Sequence, residues 1–370
     1  MKILHFFFAM HYEPKFKQTF VDFVVEEHLP YPLAKRGTRY YVQLEKRNMN
    51  TMDMVKQIMK TFALTRKKIG IAGLKDKHAL AKQRVCFHGN DVKKIGEKLF
   101  LNGLNTIARV IDTWSSEVPL WLHSQITNEF WIRLKHENQV SAENKKTLEQ
   151  NFTRLMADGF PNYFWEQRFW VTANNHRIAQ DILEWGRKHF SQGEKMFKLQ
   201  GYSSWLFNKY LEQRIKIYNG ISLLDGDLLL DDKASNGYIL YKKPDIYRTI
   251  ASWREKGFFV EATPREIVPV TTSTTNQITG PLIGYNTLMN PADTEAGKYE
   301  GGRRKHFWLT EEHVHLYKPY KLFGLRRSLR VFPTDADHKR QGNDLLLHFT
   351  LPKSAYASVV VDLLVGNEAH

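Results

Sequence analysis

The chain has 370 residues and carries 54 lysines and arginines against 39 aspartates and glutamates, a formal net charge of +15 at pH 7. That excess predicts a polyanionic partner, either nucleic acid or an anionic membrane surface, and the length predicts two domains or one with an insertion. The single cysteine, Cys86, excludes an internal disulfide and a multi-cysteine zinc site, and no run approaches 18 apolar residues. Its apolar neighbours predict a buried, inert thiol, which suits the reducing cytosol.

The first part of the chain alternates between strand and helix patterns. The amino-terminal run MKILHFFFAM lacks a cleavage site and is interpreted as a strand or a covering segment. β-Branched and aromatic residues predict strands at 20–27 and 39–45. Apolar residues at helical spacing predict a helix over 52–62, with Asn50 or Thr51 as its N-terminal cap.

The central part of the chain continues this pattern. A short strand at 69–71 leads into a loop that contains Gly73, and a further strand follows at 84–88. Strand, helix, loop and strand in succession predict an α+β layer in which helices cover one face of a sheet. The remaining expected elements are strands at 106–115 and 128–135, helices at 143–158 (ended by Gly159), 177–190 and 203–215, a turn-rich region with short strands at 225–300, and strand- or helix-like patterns at 328–332, 344–351 and 357–364.

The loop after residue 71 carries the first candidate for chemistry. Asp76 lies between Lys75 and Lys77 and is followed by His78. Because nearby positive charge favours the ionised form of a carboxylate, Asp76 is a candidate nucleophile or base. A solvated surface turn explains the same residues when the loop is considered alone.

Common motifs for cofactors are missing from the sequence. It contains no P-loop, no HExxH, no GxSxG elbow and no GxGxxG after a strand. Acidic and imidazole side chains do cluster at Glu311, Glu312, His313 and His315, but no third region completes a metal site, so they are interpreted as solvated. We therefore predict no metal and no nucleotide or redox cofactor.

Eight blocks of sequence carry a family resemblance. They are DFVVEE at 22–27, AGLKDKHAxxxQ at 72–83, TNEF at 127–130, PNYFxxQRF at 161–169, SSWLFN at 203–208, DGD at 225–227, GLRRSLRVFP at 324–333 and LPKSAYAS at 351–358. In this order the blocks resemble the TruD family of tRNA pseudouridine synthases. The resemblance spans nearly the whole chain and is weakest at about 228–300.

The resemblance implies two catalytic residues. The aspartate of the family's AGxKD block is its nucleophile, and Asp76 occupies that position here. The family's basic residue lies six positions before the phenylalanine of DFxVxE, and Lys17 occupies that position ahead of Phe23. A lysine there would favour the ionised carboxylate. The carboxylate can add to C6 of uracil or act at ribose C1′ while the glycosidic bond breaks, and the sequence leaves both routes open.

The resemblance also implies four substrate contacts. They are Phe23, Asn128 and Phe130 of the family's GNxF motif, and Tyr356 of its LPxxx[YF]A block. Asn128 would offer a donor and an acceptor to the uracil edge. Phe130 and Tyr356 would hold the extruded base by stacking, at about 1–3 kcal/mol per base. Without the resemblance, the two aromatic residues would be interpreted as core and Asn128 as a turn residue.

The fold implied by the resemblance is α+β. A mixed-sheet pseudouridine-synthase catalytic domain is formed from both chain ends, residues 1–161 and 332–370, and a TruD-specific α/β domain is inserted at 162–331. The resemblance further implies a cytoplasmic monomer that isomerises a uridine of tRNA, usually uridine 13, without a cofactor and without a membrane. The surplus lysines and arginines would contact phosphates, with the lysines beside Asp76 in an RNA-facing loop.

Three positions depart from the family pattern, since Thr127, Trp165 and Trp170 stand where the family usually has glycine. A glycine there suggests a positive φ or a close approach of RNA, and the tryptophans are interpreted as local core rather than as nucleotide-stacking residues. One alternative function is therefore a catalytically impaired tRNA-binding protein or RNA chaperone of the same fold. Another is a glycosidase that pairs Asp76 with Glu26, which requires carboxylates about 5–9 Å apart.

Overall fold

The computed structural model describes most of the chain. The described residues are 14–29, 37–88, 101–103, 106–118, 120, 127–136, 140–165, 168, 190–231, 259–261, 276–306 and 311–366. The expected amino-terminal strand or covering segment lies outside these ranges, and so does the helix expected at 177–190, apart from its last residue.

The described elements are, in chain order, β1 (Phe23–His28), β2 (Arg39–Arg47), α1 (Thr51–Thr61), β3 (Ile69–Ile71), β4 (Leu80–His88), β5 (Leu101–Gly103), β6 (Thr106–Ser116), β7 (Thr127–Leu134), α2 (Ala142–Asp158), β8 (Phe160–Pro161), α3 (Gln192–Tyr218), β9 (Leu228–Asp231), β10 (Phe259–Glu261), β11 (Asn276–Leu282), α4 (Glu295–His306), α5 (Glu311–His315), β12 (Leu325–Ser328), β13 (Arg330–Val331), β14 (Thr334–Gln341), β15 (Asp344–Pro352) and α6 (Ala357–Leu364).

A mixed sheet takes its strands from both ends of the chain. Its order is β14–β15–β7–β1–β4–β2–β6–β5, and β3 also pairs with β4. β1 lies between β7, which runs antiparallel to it, and β4, which runs parallel. Side chains alternate along β1 and β7, so that Phe23, Val25, Phe130 and Ile132 share one buried face. The expected α+β fold with a sheet built from both chain ends is confirmed.

Helices cover the buried face of this sheet. α1 begins after Asn50, whose side chain accepts a hydrogen bond from the backbone N–H of Asp53, as its capping position predicts. α2 ends at Gly159 with φ of 66°, where a Cβ would meet the carbonyl oxygen of Val331 at 2.5 Å. α2 and α6 contact each other and contribute to the same buried core. The helices thus close the sheet on the side that carries Phe23.

A second sheet lies in the region between β8 and β13. It has the order β10–β9–β11–β12, and α3 packs against β11. β8 and β13 pair with each other, with Phe160 opposite Val331, so the chain enters and leaves this region at one place. The division into 1–161 with 332–370 and 162–331 falls at this pair and stays a proposal. One core crosses it, because Tyr210 and Phe349 belong to the same buried cluster.

Some elements differ from their expected bounds. The strand expected at 20–27 begins only at Phe23, because the three residues before it form a capped 3-10 turn. The helix expected at 203–215 is Gln192–Tyr218, since a capping box at Ser191 starts it earlier. The turn-rich region also contains α4, whose glycines and many charges obscure its helical spacing.

Two simpler expectations can be compared with the structure directly. Cys86 is buried and free, and burial raises the pKa of its thiol to about 11, which confirms a buried and unreactive side chain. None of the helices that the structure describes is long and apolar enough to cross a membrane.

Candidate active site

Asp76 lies in the loop between β3 and β4 (residues 72–79, the Asp76 loop), and its carboxylate faces Lys17. The distance from Lys17 Nζ to Asp76 Oδ2 is 3.6 Å, and the two side chains are 16% and 38% exposed. Each residue precedes a strand of the parallel pair β1 and β4, so both lie at the same edge of the sheet. Burial lowers the pKa of Lys17, and the attraction of Asp76 opposes that effect. The expected ion pair is therefore formed, and its carboxylate remains exposed enough for a ligand to reach.

The backbone of Lys17 has an unusual conformation. Its φ of 56° lies in the left-handed region, which costs a residue other than glycine about 1–2 kcal/mol. Contacts on both sides hold the segment: Lys15 forms a β-bridge with Lys135. Asp22 accepts hydrogen bonds from the backbone N–H and the hydroxyl of Thr19, at 2.7 and 2.8 Å. Strain that neighbouring contacts maintain is common where a side chain must be aimed at a functional site.

Phe23 and Phe130 lie next to this ion pair. Their ring centroids are 5.8 Å apart, and Phe130 lies 5.6 Å from Phe349. Lys17 Nζ lies 4.1 Å from the centroid of Phe23, within the range of a cation–π contact. Both rings are more than nine-tenths buried. The two aromatic residues are thus core residues by burial and also border the candidate site.

Asn128 lies beside the Asp76 loop, because its amide oxygen accepts a hydrogen bond from Lys75 Nζ. Lys75 also lies 3.5 Å from Glu27 Oε2, and this carboxylate is fully buried. Burial lowers the pKa of Lys75 and raises that of Glu27. The expectation that both lysines beside Asp76 face RNA is wrong for Lys75, because the buried Glu27 draws it inward; Lys77 is exposed.

Lys46 holds the backbone of the Asp76 loop, a role that the sequence does not indicate. Its side chain is fully buried at the end of β2, and Nζ donates to the carbonyl oxygens of Met49, Lys75 and Asp76 at 2.6, 3.3 and 2.8 Å. Burial lowers the pKa of Lys46 to about 8, and the nearby Asp76 opposes this change. The ammonium group therefore fixes the peptide that carries the candidate nucleophile.

Thr51 and Gln83 complete the support of this loop. The hydroxyl of Thr51 accepts from the backbone N–H of Lys75 at 2.8 Å and donates to Gln83 Oε1 at 2.9 Å. Gln83 Nε2 in turn donates to the carbonyl oxygen of Gly73. Because Asn50 caps α1, the hydroxyl of Thr51 is not needed as the cap and binds the Asp76 loop instead. Gln83 closes the AGLKDKHA block in sequence, which is the one signal that pointed toward this support.

Tyr356 lies where α6 begins, close to the region between β8 and β13. Its ring centroid is 6.0 Å from that of Phe164 in an edge-to-face contact. Burial raises the pKa of Tyr356; the guanidinium groups of Arg168 and Arg327 oppose this rise and Asp76 adds to it. Tyr356 therefore packs against Phe164, the ring over which both arginines lie, and it is near enough to Asp76 for that carboxylate to affect its pKa.

Glu26 lies on the opposite face of β1 from Phe23. It is three residues from Phe23, and residues an odd number apart on a strand face opposite sides. Its carboxylate binds Lys82 and Gln43, each at 2.9 Å. The glycosidase pairing of Glu26 with Asp76 is therefore wrong. Among the described residues, no group of three or more His, Cys, Asp and Glu side chains is placed to hold a metal ion.

The residues that replace family glycines have ordinary backbone conformations where they are described. Neither Thr127 nor Trp165 has a positive φ, so neither position requires glycine. Trp165 is half-buried and packs against the main core, as its interpretation as core predicted. Trp170 lies outside the described residues.

Known proteins resemble this chain over nearly all of its length. A family model described as tRNA pseudouridine synthase D (TruD) matches residues 10–192 and 190–362. A tRNA pseudouridine synthase D of Sulfurimonas denitrificans is 28% identical over 369 residues, which cover 94% of each chain. One from a Nitratiruptor species is 34% identical over 202 residues, which cover 55% of this chain and 54% of the relative. A crystal structure from Methanosarcina mazei, named as a candidate tRNA pseudouridine synthase D, aligns with a TM-score of 0.67 at 20% identity over 97% of this chain and 95% of that one.

The structural match identifies the mixed α+β architecture as a pseudouridine-synthase fold. The family match then assigns the chain more narrowly. The chain belongs to the TruD family of tRNA pseudouridine synthases, which are isomerases.

Proposed function

We propose that this chain isomerises one uridine of tRNA to pseudouridine, uridine 13 by family resemblance, with Asp76 as the nucleophile and with no cofactor. The observation that carries the proposal is the ion pair of Asp76 and Lys17 at 3.6 Å, next to a buried aromatic cluster. The relatives named tRNA pseudouridine synthase D support the reaction and the class of substrate.

The reaction breaks the bond from ribose C1′ to N1 of uracil, joins C1′ to C5, releases the C5 proton to solvent and adds a proton at N1, so that the product is an isomer of the substrate. Asp76 would add to C6 of the base or to C1′, and the geometry is compatible with either route. Lys17 would hold the carboxylate ionised and oriented, while Lys46 and Thr51 fix the loop beneath it. Positioning of the nucleophile before the substrate binds lowers the barrier without a cofactor.

The uracil would lie between the aromatic cluster and Tyr356. Because Lys75 occupies Asn128 Oδ1, the Nδ2 group of Asn128 would be the donor to a carbonyl oxygen of the base. Phe23 and Phe130 would border the base from the core side. Extruding a nucleotide from its stack costs a few kcal/mol, which contacts between cationic side chains and RNA phosphates would offset.

We infer that RNA would lie between the two parts of the proposed domain division. The catalytic domain would be 1–161 with 332–370 and the inserted domain 162–331, so that Tyr356 and the arginines near Phe164 meet at their boundary. We also expect a monomer that works in the cytoplasm, where tRNA is found.

Tritium at C5 of uracil tests this function, because pseudouridine formation releases the C5 proton. We expect the wild-type protein to release tritium from labelled tRNA, and Asp76→Asn to release at least about a thousandfold less while it still binds tRNA. The side chain of Asp76 is 38% exposed, so its replacement should leave the fold intact.

Two other outcomes would change the proposal. Release by Asp76→Asn at the wild-type rate would remove Asp76 from the role of nucleophile. Tight tRNA binding by the wild-type protein without any release would favour the alternative, a catalytically impaired tRNA-binding protein or RNA chaperone.

A further inference from the structure

Arg327 on β12 is a buried arginine that has no carboxylate partner among the described residues. It is 7% exposed. Its Nε donates to the carbonyl oxygen of Asn162 at 3.1 Å, and its Nη2 donates to Asn162 Oδ1 at 2.5 Å and to the carbonyl oxygen of Ser354 at 2.9 Å. An arginine has five N–H groups, and the two on Nη1 find no acceptor in the part of the chain that the structure describes. A cation is thus fixed in place with one edge unused.

The guanidinium group of Arg327 is held rigidly. It lies over the ring of Phe164, with Cζ 4.0 Å from the ring centroid, and 5.4 Å from that of Phe207. Asn208 of α3 fixes the backbone of Phe164 through two hydrogen bonds of 2.8 Å, one to its N–H and one to its carbonyl oxygen. The unused N–H groups therefore point in a set direction, which reduces the entropy lost when they bind a ligand.

Arg168 adds a second guanidinium group on the same ring. Its Cζ lies 5.8 Å from the centroid of Phe164, and its Nε donates to the hydroxyl of Ser204 at 3.1 Å. No Asp or Glu among the described residues pairs with it, and its Nη1 and Nη2 groups have no acceptor there. Two cations that pair with no described carboxylate therefore converge on Phe164, the ring that contacts Tyr356.

The neighbouring arginine on β12, Arg326, has a structural role, because a buried carboxylate balances its charge. Arg326 Nη1 binds Glu300 Oε1 at 2.7 Å, and both side chains are 1% exposed. Its other groups bind Thr279 and Asn290. One arginine of the two is thus neutralised by the protein, whereas Arg327 has no carboxylate partner in the described part of the chain to balance its buried charge.

We propose that Arg327, through Nη1, and Arg168 bind a phosphodiester of the RNA that flanks the uridine held at Asp76. The inference rests on the proposed function. The phosphates of a nucleotide lie next to its base, and Tyr356, the proposed contact of the uracil, packs against Phe164, the ring over which both guanidinium groups lie. A guanidinium fork matches phosphate oxygens in charge and geometry. The two arginines thus bind the backbone while the residues around Asp76 bind the base.

The test couples a change in the protein with a change in the RNA. The probes are tRNAs of the species that the wild type modifies, each with one neutral methylphosphonate in place of a phosphodiester within two nucleotides of the target uridine. We expect one linkage whose neutralisation lowers the kcat/KM of the wild type at least tenfold. Arg327→Gln should lose at least tenfold on unaltered tRNA and less than twofold more on the tRNA with that neutral linkage.

Arg109→Gln is the matched control. It removes the same charge from a side chain on β6 that is 56% exposed and paired with Glu45. We expect its loss to be the same factor on every probe, since an exposed cation contributes only general attraction. If Arg327→Gln behaves like this control, its loss in kcat/KM will be the same factor on unaltered tRNA and on every tRNA with a neutral linkage. That result overturns the inference.

Two further measurements keep the test decisive. If circular dichroism shows that Arg327→Gln does not fold, Arg168→Gln replaces it, because among the described residues its side chain is hydrogen-bonded to Ser204 alone. A wild type that is insensitive to every neutral linkage also overturns the inference. The coupling between Arg327→Gln and the neutral linkage is also measured in binding, as the change in Kd for the same RNAs when both proteins carry Asp76→Asn. Coupled binding without turnover would therefore contradict the proposed function alone, and turnover without coupling would contradict only this inference.

Discussion

Within the region between β8 and β13, Arg214 and Asp227 are both fully buried and bind each other through two parallel hydrogen bonds, with Nη1 and Oδ1 at 2.9 Å. Asp227 also accepts from the backbone N–H of Leu224 at 2.8 Å. Around Asp76, by contrast, the cations are matched only in part: Lys75 lies 3.5 Å from the buried Glu27, but two others have no buried carboxylate partner among the described residues. Lys46 faces three carbonyl oxygens, and Lys17 shares a partly exposed carboxylate.

The two regions therefore use buried charge differently. Matched pairs in the first region fix α3 against the DGD turn, where Gly226 has φ of 80° and a Cβ would clash with Thr294. In the second region, the surplus of cations leaves positive potential beside a partly exposed carboxylate. A polyanionic substrate can supply the missing charge, so the residues around Asp76 are arranged for binding, as are Arg168 and Arg327, whereas the pair of Arg214 and Asp227 is arranged for stability.

The largest expected effect breaks a matched pair. Asp227→Asn leaves Arg214 buried without a counter-charge, which should lower the free energy of unfolding by about 3–5 kcal/mol. Denaturant titration measures this loss, and kcat per folded molecule should change less than twofold. Glu212→Gln on the same helix breaks a pair whose side chains are 37–39% exposed, and should cost under about 1 kcal/mol. Equal losses of unfolding free energy in Asp227→Asn and Glu212→Gln would contradict the claim that the buried pair stabilises the fold more than the exposed one.

The next effect concerns Lys17. Lys17→Met should lower kcat about 100-fold, equivalent to about 2.7 kcal/mol, because the carboxylate of Asp76 loses its cation. The Kd for tRNA should stay within about threefold, since many phosphate contacts share the binding energy. Single-turnover rates and binding titrations separate the two quantities. Lys56→Met, at a side chain that is 74% exposed on α1, is the control and should leave both unchanged.

A different result for Lys17 would assign it another role. If Lys17→Met loses tRNA affinity but keeps kcat, the lysine binds a phosphate rather than supporting the nucleophile.

The smallest effect concerns Lys46, which acts on the reaction through the backbone. Lys46→Met should lower kcat about tenfold, or about 1.4 kcal/mol, because the loop carbonyls lose their donor. The charged groups that face Lys46 are Asp76, Lys75 and Glu27. Single-turnover rates of the wild type and the variant at saturating protein measure the effect, and an unchanged kcat in Lys46→Met would show that the loop needs no ammonium group.

The pH dependence of stability gives a second measurement on Lys46. Burial lowers its pKa from 10.5 to about 8, so between these values the unfolded chain binds more protons than the folded one. The contribution of Lys46 to the free energy of unfolding should therefore rise with pH across this window. The difference between wild type and Lys46→Met, measured by urea unfolding at pH 7.5 and 10, should shift in favour of the wild type at the higher pH.

Much of the fold and part of the site could be predicted from the sequence. Asp76 and Lys17 lie 59 positions apart, and family resemblance brought them together; the parallel pairing of β1 and β4 is the physical reason. Lys46 and Thr51 could not be found in this way. Both bind backbone atoms of the Asp76 loop, and the positions of those atoms depend on the folded chain rather than on any pattern of side chains.

Motif residues outside the Asp76 loop show the same limit of sequence patterns. Asn162 and Asn208 belong to quoted blocks, but only the structure shows that they fix Arg327 and Phe164. The inward position of Lys75 was mispredicted because its partner, Glu27, lies on a distant strand and resembled an ordinary strand residue in sequence. Periodicity gives the buried face of a strand, but it does not give the charge that faces it across the core.

The central claim is that Asp76 makes pseudouridine in tRNA, and mapping pseudouridine in tRNA from cells tests it most directly. Cells without this gene should lack one pseudouridine, expected at position 13, that cells with the gene contain. The wild-type gene should restore that pseudouridine, and a gene with Asp76→Asn should not. An unchanged set of pseudouridines after deletion, or restoration by Asp76→Asn, would contradict the account.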